Sequence, residues 1–416
     1  MATALNLQRN TEVYVSTVDL DGGGTAANMT PSNTWRVDVL SGYAVSQAAA
    51  TQDITPSESG LTPDRSVQRF NTAVNPAEWS FQTYIRPTGY NRTNAVATAG
   101  NSMPLADWFL WQALLSNTAF AAGVGAGSVV QSTWADFGTF STAARNAGTN
   151  VASHISNFAV APQYQVYMKI DNVAYQVKNA SVNEASIDAA IDAIAMTSWS
   201  GFGTDIVELT GTSRNHLISV TGGILNSGAT ATGNAYNVAN VAASAYHTWA
   251  NYGGTQSQYI KNRLSTIDVY HTVSGAGAAN NYTFPVTNMG FTYNNSLTYL
   301  TPEEMSTLNT PIGQFTGART ITGNFTAYLR GDNNDSAQFL RNISNDTRTS
   351  MSSAANANLK IGGASSPYVA LFMPAVQFNF PTHAIEDIVS ISVEFLAQEA
   401  AATKGTGSEL VMVVSN

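Results

Sequence analysis

The sequence predicts a mainly β fold with a few short helices. Three observations carry that prediction: a period-two alternation that recurs along the whole chain, β-branched residues within it, and few runs with helical spacing. Trp79, Phe81, Thr83 and Ile85 alternate with Ser80, Gln82, Tyr84 and Arg86, while Val166, Met168 and Ile170 alternate with Gln165, Tyr167 and Lys169. Both runs read as half-buried strands. Ile321, Phe325 and Leu329 share a face opposite Thr320, Thr322, Asn324, Thr326, Tyr328 and Arg330, with Gly323 mid-strand where a bulge is expected. Val389, Ile391, Val393 and Phe395 oppose Ser390, Ser392 and Glu394.

Helix signals are sparse. Ser102 and Pro104 supply a cap and a preset φ, after which Leu105, Trp108, Trp111 and Leu115 fall on one face. Thr301, Pro302, Glu303 and Glu304 form a capping box leading to Met305 and Leu308, so a second helix is expected there. A third runs from Asp335 through Phe339, Leu340 and Ile343, with Asp332 to Asp335 as its cap.

Composition narrows the class. Only 11% of the 416 residues are Asp, Glu, Lys or Arg, against roughly 25% in an ordinary soluble domain, and 44% are apolar. A monomer keeps its copies apart with ionised side chains, so a chain that omits them is expected to give much of its surface to protein partners. The length suggests two or three domains, although all-β units also reach this size around one core. A net charge of −9 without any basic run disfavours a tight nucleic-acid binder. The absence of cysteine removes disulfides, thiolate nucleophiles and Cys-ligated metals. The opening MATALNLQRNTEVYVSTVDL has no secretory pattern, so a non-secreted cytosolic product is expected.

Residues 121–158 and 205–262 differ from the rest. They are dominated by Ala, Gly, Ser, Thr and Asn with weak periodicity, most strongly from 210 onward, and read as two insertions into a β framework. The second is expected to form a small outward-facing module. No period of 20 to 50 residues repeats, which leaves a solenoid or propeller unsupported.

The chain carries no familiar catalytic signature. The chain has no G-x-x-x-x-G-K-[ST], no G-x-G-x-x-G opening a helix, no G-x-S-x-G and no H-E-x-x-H, and its histidines (His154, His216, His247, His271, His383) are scattered. His383 with Glu386 and Asp387 has the nearest metal-like spacing, but turn hydrogen bonds explain it better. Asp19, Asp21 and Gly22 to Gly24 open like a calcium loop without its distal glutamate, which favours a turn. No catalytic, cofactor-binding or metal-binding residue is assigned. Glu184, Asp188 and Asp192 lie on one side of a strand with Ala185, Ile187, Ala189, Ile191 and Ala193 on the other, although the same spacing fits a helix and alanine favours one.

Four segments carry a resemblance: Asn75 to Pro87 (NPAEWSFQTYIRP), Ala195 to Gly203 (AMTSWSGFG), Phe291 to Gly313 (FTYNNSLTYLTPEEMSTLNTPIG) and Val376 to Ser390 (VQFNFPTHAIEDIVS). Together they resemble the major tail tube proteins of tailed bacteriophages, over most of the chain outside the insertions. The resemblance implies a single protomer built on an antiparallel β-sandwich with flanking helices, its inner sheet contributing to a β-barrel shared between subunits. It implies that residues 182 to 196 form a strand, that six copies close a ring, and that rings stack into a tail tube through which DNA passes without specific binding. Implied partners are further copies, a tape-measure protein in the lumen, terminator and baseplate proteins at the tube ends, and a sheath protein where the tail is contractile. The implied location is the virion tail, after synthesis in the bacterial host cytoplasm. Glu184, Asp188 and Asp192 are the lumen-lining candidates, since acids repel passing phosphates. A decoration or baseplate protein is the alternative within the virion, and a carbohydrate-active β-protein with paired carboxylates is the alternative outside it.

Overall fold

The computed structural model describes residues 11–22, 34–56, 59–61, 66–87, 105, 107–115, 151–154, 160–170, 173–211, 259–272, 279–305, 309–331, 335–349, 355–363, 367–380, 382–384, 388–399 and 409–415. In chain order the first half contains β1 (Thr11–Ser16), β2 (Thr34–Val37), β3 (Ala44–Ser46), β4 (Ala49–Ile54), β5 (Gln68–Val74), β6 (Ala77–Tyr84), helix α1 (Trp108–Leu115), β7 (Val151–His154), β8 (Tyr164–Ile170), β9 (Val173–Ala190), β10 (Met196–Gly203) and β11 (Asp205–Glu208). The second contains β12 (Thr266–Thr272), β13 (Ala279–Asn294), β14 (Leu297–Leu300), β15 (Gly313–Thr316), β16 (Thr320–Tyr328), helix α2 (Ser336–Thr349), β17 (Ala355–Gly362), β18 (Tyr368–Phe378), β19 (Thr382–Ala384), β20 (Ser390–Gln398) and β21 (Val411–Ser415).

The pairing is antiparallel throughout these strands and falls into two layers. The inner layer runs β3, β6, β10, β9, β13, β16, β20 and then a shared edge made by the end of β18 followed by β19. Long strands bend from one layer to the other. The first part of β9 pairs with β8 and β11 in the outer layer, and its second part pairs with β10 and β13 in the inner one. The two layers enclose one continuous core in which Trp79, Phe81, Trp199, Phe291, Phe325 and Val393 are all buried.

The order of pairings is repeated. In the first half β1 lies between β2 and β8, β8 leads to the bent β9, and β10 pairs back onto β6. In the second half β12 lies between the first part of β13 and β17, β17 leads to the bent β18, and β20 pairs back onto β16. An exposed hairpin precedes β6 and another precedes β16, and a helix follows each of those strands. The repeat is too long to show as a short sequence period, and its packing hides it further. Tyr84 and Tyr328 close the equivalent strands β6 and β16, opposite Met196 and Ser390, which aligns Trp79 with Gly323 and Gly201 with Phe395. A Cβ on Gly201 would stand 2.3 Å from the Trp79 ring, and one on Gly323 would stand 2.2 Å from the Phe395 ring. Each half therefore packs one large ring over one glycine, on opposite strands. That is why Gly323 sits in register opposite Phe291 and Phe395 with no bulge, contrary to the sequence expectation.

Other expectations are corrected as well. Residues 301–304 form no helix, and Met305 at the turn between β14 and β15 is almost fully exposed. The capping signal is real chemistry without a core to pack on: Glu304 N donates to the Asn309 side chain instead. Leu308 lies outside the described residues. Strand β8 is buried on both faces rather than one, because the Tyr167 hydroxyl is held by Val18 O and by Leu20 N in a covering loop. Helix α1 starts at Trp108, with Asp107 O accepting from Leu110 N, and is buried nearly all round; Ser102 and Pro104 lie outside the described residues. The third helix is present as α2. At its start Asp335 Oδ1 accepts from Ser336 N, and Ser336 Oγ ties the helix to the end of β16 by accepting from Arg330 N and donating to Tyr328 O; Asp332 lies outside the described residues. Of the described ends of the compositional insertions, β7 pairs with β21 and β11 with β9 in the outer layer, while Lys261 bridges Ile194 at the end of the inner sheet; their interiors lie outside the described residues.

Candidate functional site

Because side chains alternate across a strand, the inner sheet that buries one face must present the other. On that second face stand Glu78, Ser80 and Gln82 of β6, Ser198 and Ser200 of β10, Glu184, Ser186 and Asp188 of β9, Asn288, Thr292 and Asn294 of β13, Thr320, Thr322, Asn324 and Thr326 of β16, and Ser390, Ser392 and Glu394 of β20. None of the face positions in these six strands carries lysine or arginine. The result is a hydroxyl- and amide-rich surface with four carboxylates.

Local hydrogen bonds order this surface. Asn294 Nδ2 donates to Glu184 Oε2 at 2.7 Å, Gln82 Nε2 donates to Ser198 Oγ at 3.0 Å, and Asn379 Nδ2 donates to Glu394 Oε2 at 3.3 Å. A shallow open depression of about 400 Å³ lies here, lined by Ser41, Ser80, Gln82, Glu184, Ser186, Ser198 and Ser200 among others. Its lining holds one carboxylate and neither histidine nor a cation, which gives no means of pairing an acid with a base.

Among the lumen candidates, Glu184 and Asp188 stand on this face, in a strand and not a helix. Strand β9 ends at Ala190, so residues 191–194 form a turn before β10, and Asp192 is not part of the face. It is 82% exposed beyond the sheet end, with the Arg263 guanidinium 4.0 Å away. Ala193 is likewise off the strand, where its N–H donates to Ala190 O. Glu78 and Glu394 complete the acidic set. Both were accessible to sequence reasoning, since each occupies the polar phase of an alternating run next to a core residue, Trp79 or Val393.

Of the two metal-like motifs, the one at Asp19 forms a turn. Asp19 Oδ1 accepts from Gly22 N at 2.8 Å and from Gln176 Nε2 at 2.7 Å, which closes a turn, and Lys178 lies 3.8 Å away. Those hydrogen bonds and the Lys178 charge hold the Asp19 carboxyl below its usual range against the opposing effect of burial. His383 lies in β19, and Glu386 and Asp387 lie outside the described residues.

A buried carboxylate supports the inner sheet from behind. Asp107 precedes α1, and its Oδ2 accepts from Thr83 Oγ1 at 2.7 Å; Thr83 in turn accepts from Trp199 Nε1 at 2.9 Å. Burial pushes the Asp107 carboxyl up to about 6, only partly offset by the Thr83 hydrogen bond and the charge of Arg86. A raised carboxyl pKa means that the unfolded chain ionises first as pH rises. Stability conferred by this site is therefore full below about pH 4 and falls between about pH 4 and 6, by about 3 kcal/mol. Asp107→Asn is expected to flatten that part of the profile, measured as urea midpoints from pH 4 to 7. An equal fall in both proteins would mean that Asp107 ionises freely in the folded state.

These features define a mainly β protein whose inner sheet presents a broad polar face among the described residues. The chain is similar to tail tube protein pb6 of Escherichia phage T5: the two are 29% identical over 399 residues, 95% of this chain and 73% of that protein. No family model matches the chain. The similarity bears out the resemblance to the phage major tail tube protein family read from the sequence.

Proposed function

We propose that the chain is a structural subunit of a phage tail tube, in which copies join their inner sheets into a closed barrel and rings stack to form the conduit for DNA. The observation that carries this reading is the inner sheet itself: eight strands wide, dry on one face, acidic and free of strand-borne cations on the other. A sheet this wide with open edges invites uncontrolled pairing, and closure within a ring removes the edges. The acidic face then lines the lumen, with Glu78, Glu184, Asp188 and Glu394 repelling phosphate where lysines would retain it by counterion release.

The family resemblance implies a ring of six copies, each with one inner sheet; this chain carries the pairing pattern twice, so the proposed ring departs from six copies while keeping six positions. Each chain supplies two repeats, so three chains fill them. Three inner sheets of eight strands spaced about 4.8 Å apart give a circumference of about 115 Å, and strand tilt widens it, leaving a bore of more than about 20 Å for duplex DNA. Stacking uses the sheet ends. The hairpin β4–β5 and the turn between β14 and β15 project at one end with Leu61, Phe70, Met305 and Phe315 exposed, and Ile191, Leu264 and Ile388 are exposed at the other. Rings joined end to end bury such residues in a heterologous contact that propagates. The outer-layer positions of β7 and β11 support a location for the two insertions on the outside of the tube. Further partners follow from the reading: a tape-measure protein within, terminator and baseplate proteins at the ends, and a sheath around a contractile tail.

Negative-stain microscopy and native mass measurement test this directly. The expected result is rings or tubes with a central hole, the ring mass being that of three 44.0 kDa chains. A ring of six chains would overturn the count, and a lone monomer at high concentration would overturn the reading. Replacing Glu78, Asp188 and Glu394 together with lysine is expected to leave tubes intact while making them bind duplex DNA at least tenfold more tightly at low salt. Affinity unchanged from the parent would remove these residues from the lumen.

A further inference from the structure

We infer that ring closure is made by one specific strand pair: β19 of one copy lies antiparallel to β3 of the next, with Thr382 opposite Ser46 and Ala384 opposite Ala44. The inference rests on the ring reading above and names the contact that reading needs.

The two repeats already meet once inside the chain, which shows how a repeat joins its neighbour. They meet where β9 pairs with β13, with Ser186 opposite Thr292 and Asp188 opposite Gly290. The same join between copies must use the equivalents of these strands. The equivalent of β9 is the run from β18 into β19, because both follow a helix and an outer strand, bend inward, and pair with the last inner strand of their half. The equivalent of the inner part of β13 is β3, because each precedes an exposed hairpin and pairs with the strand after it.

The register follows from the alignment of Tyr84 with Tyr328. That alignment matches Ser198 with Ser392, and since Ser198 lies opposite Ser186 and Ser392 opposite Thr382, it matches Ser186 with Thr382. It also matches Ser80 with Asn324, hence Ala44 with Gly290 and Ser46 with Thr292. An independent feature agrees. The β9–β10 ladder slips by one residue between Ser200 and Gly201, and the ladder of β18–β19 on β20 slips by one in the same direction within an interval that contains the matching step, between the Phe378–Phe395 and Thr382–Ser392 pairs. Among the described residues β3 pairs only with β6 and β19 only with β20, so each presents an open edge, and Ala44, Ser46 and Thr382 are exposed.

The chain has no cysteine, so introduced pairs report without background. Thr382→Cys combined with Ser46→Cys, oxidised after assembly, is expected to give covalent oligomers on a denaturing gel, with more than half of the chains linked. Each single variant should stay monomeric on the gel, and the pair Ser186→Cys with Thr292→Cys should link within one chain. Assembled rings in which 186 and 292 link but 382 and 46 do not would overturn the register while leaving the ring reading intact; failure to form rings at all, seen by microscopy before oxidation, would overturn both. Hydrogen exchange of the unaltered protein covers the case in which the variants misfold. Amides of 44–46 and 382–384 should slow at least tenfold on assembly, and exchange at the unassembled rate in intact tubes would overturn the pairing.

Discussion

Val393→Asp is expected to abolish folding. Val393 lies in β20 opposite Phe325 and is fully buried, with a side chain directed into the core between the layers. A carboxylate there would have no water, and its neighbours on the core face, Phe325 and Ile391, offer no donor. Burying an unpaired charge costs several kcal/mol even when the group takes up a proton to avoid it, a large part of the 5–15 kcal/mol that holds an ordinary domain together. Insoluble protein, or a soluble one without a cooperative urea transition, is the expected measurement. A soluble variant that still assembles would place position 393 on the polar face and invert the assigned phase of the whole strand.

Phe339→Ala is expected to cost about 3–5 kcal/mol, the range for truncating a fully buried aromatic side chain. Phe339 is the ring by which α2 grips the second half. Its centroid lies 5.3 Å from Tyr282, 5.1 Å from Phe284, 6.3 Å from Phe325 and 5.3 Å from Phe378, so it contacts rings from β13, β16 and β18 together. Edge-on and tilted contacts of this kind add to the burial term, and the cavity left by the substitution has rigid strands on its walls that cannot collapse to fill it. The measurement is the shift in urea midpoint at constant slope. A loss below about 1 kcal/mol would mean that α2 is held by other contacts.

The strands were legible wherever one face met the core and the other met water. The runs around Trp79, Ile321 and Ile391 were readable for that reason, and Glu78 and Glu394 could have been read from the same phase. Legibility failed where local chemistry was ambiguous. The capping box at Thr301 is a sound helix start by local rules, yet Met305 found no partner and the segment became a turn. Alanine-rich 184–193 fits helix and strand equally, and only pairing on both sides, with β10 and β13, made it a strand that stops at Ala190. Where the strand stops is what separates Asp188, on the polar face, from Asp192, beyond it.

By itself the sequence determined the fold class, the core phase of the main strands, the shortage of charge that points to shared surfaces, and the family resemblance. Only the tertiary structure decided which strands are neighbours, and with that the repeat, the eight-strand inner sheet and the two open edges. The physical reason lies in what each level constrains. Alternation is enforced residue by residue, because every misplaced side chain incurs its own desolvation cost. Volume is enforced only on cross-strand pairs, so Trp79 over Gly201 in one half and Phe395 over Gly323 in the other satisfy the same packing with large and small residues exchanged between strands. The two halves could therefore drift apart in sequence while keeping one shape.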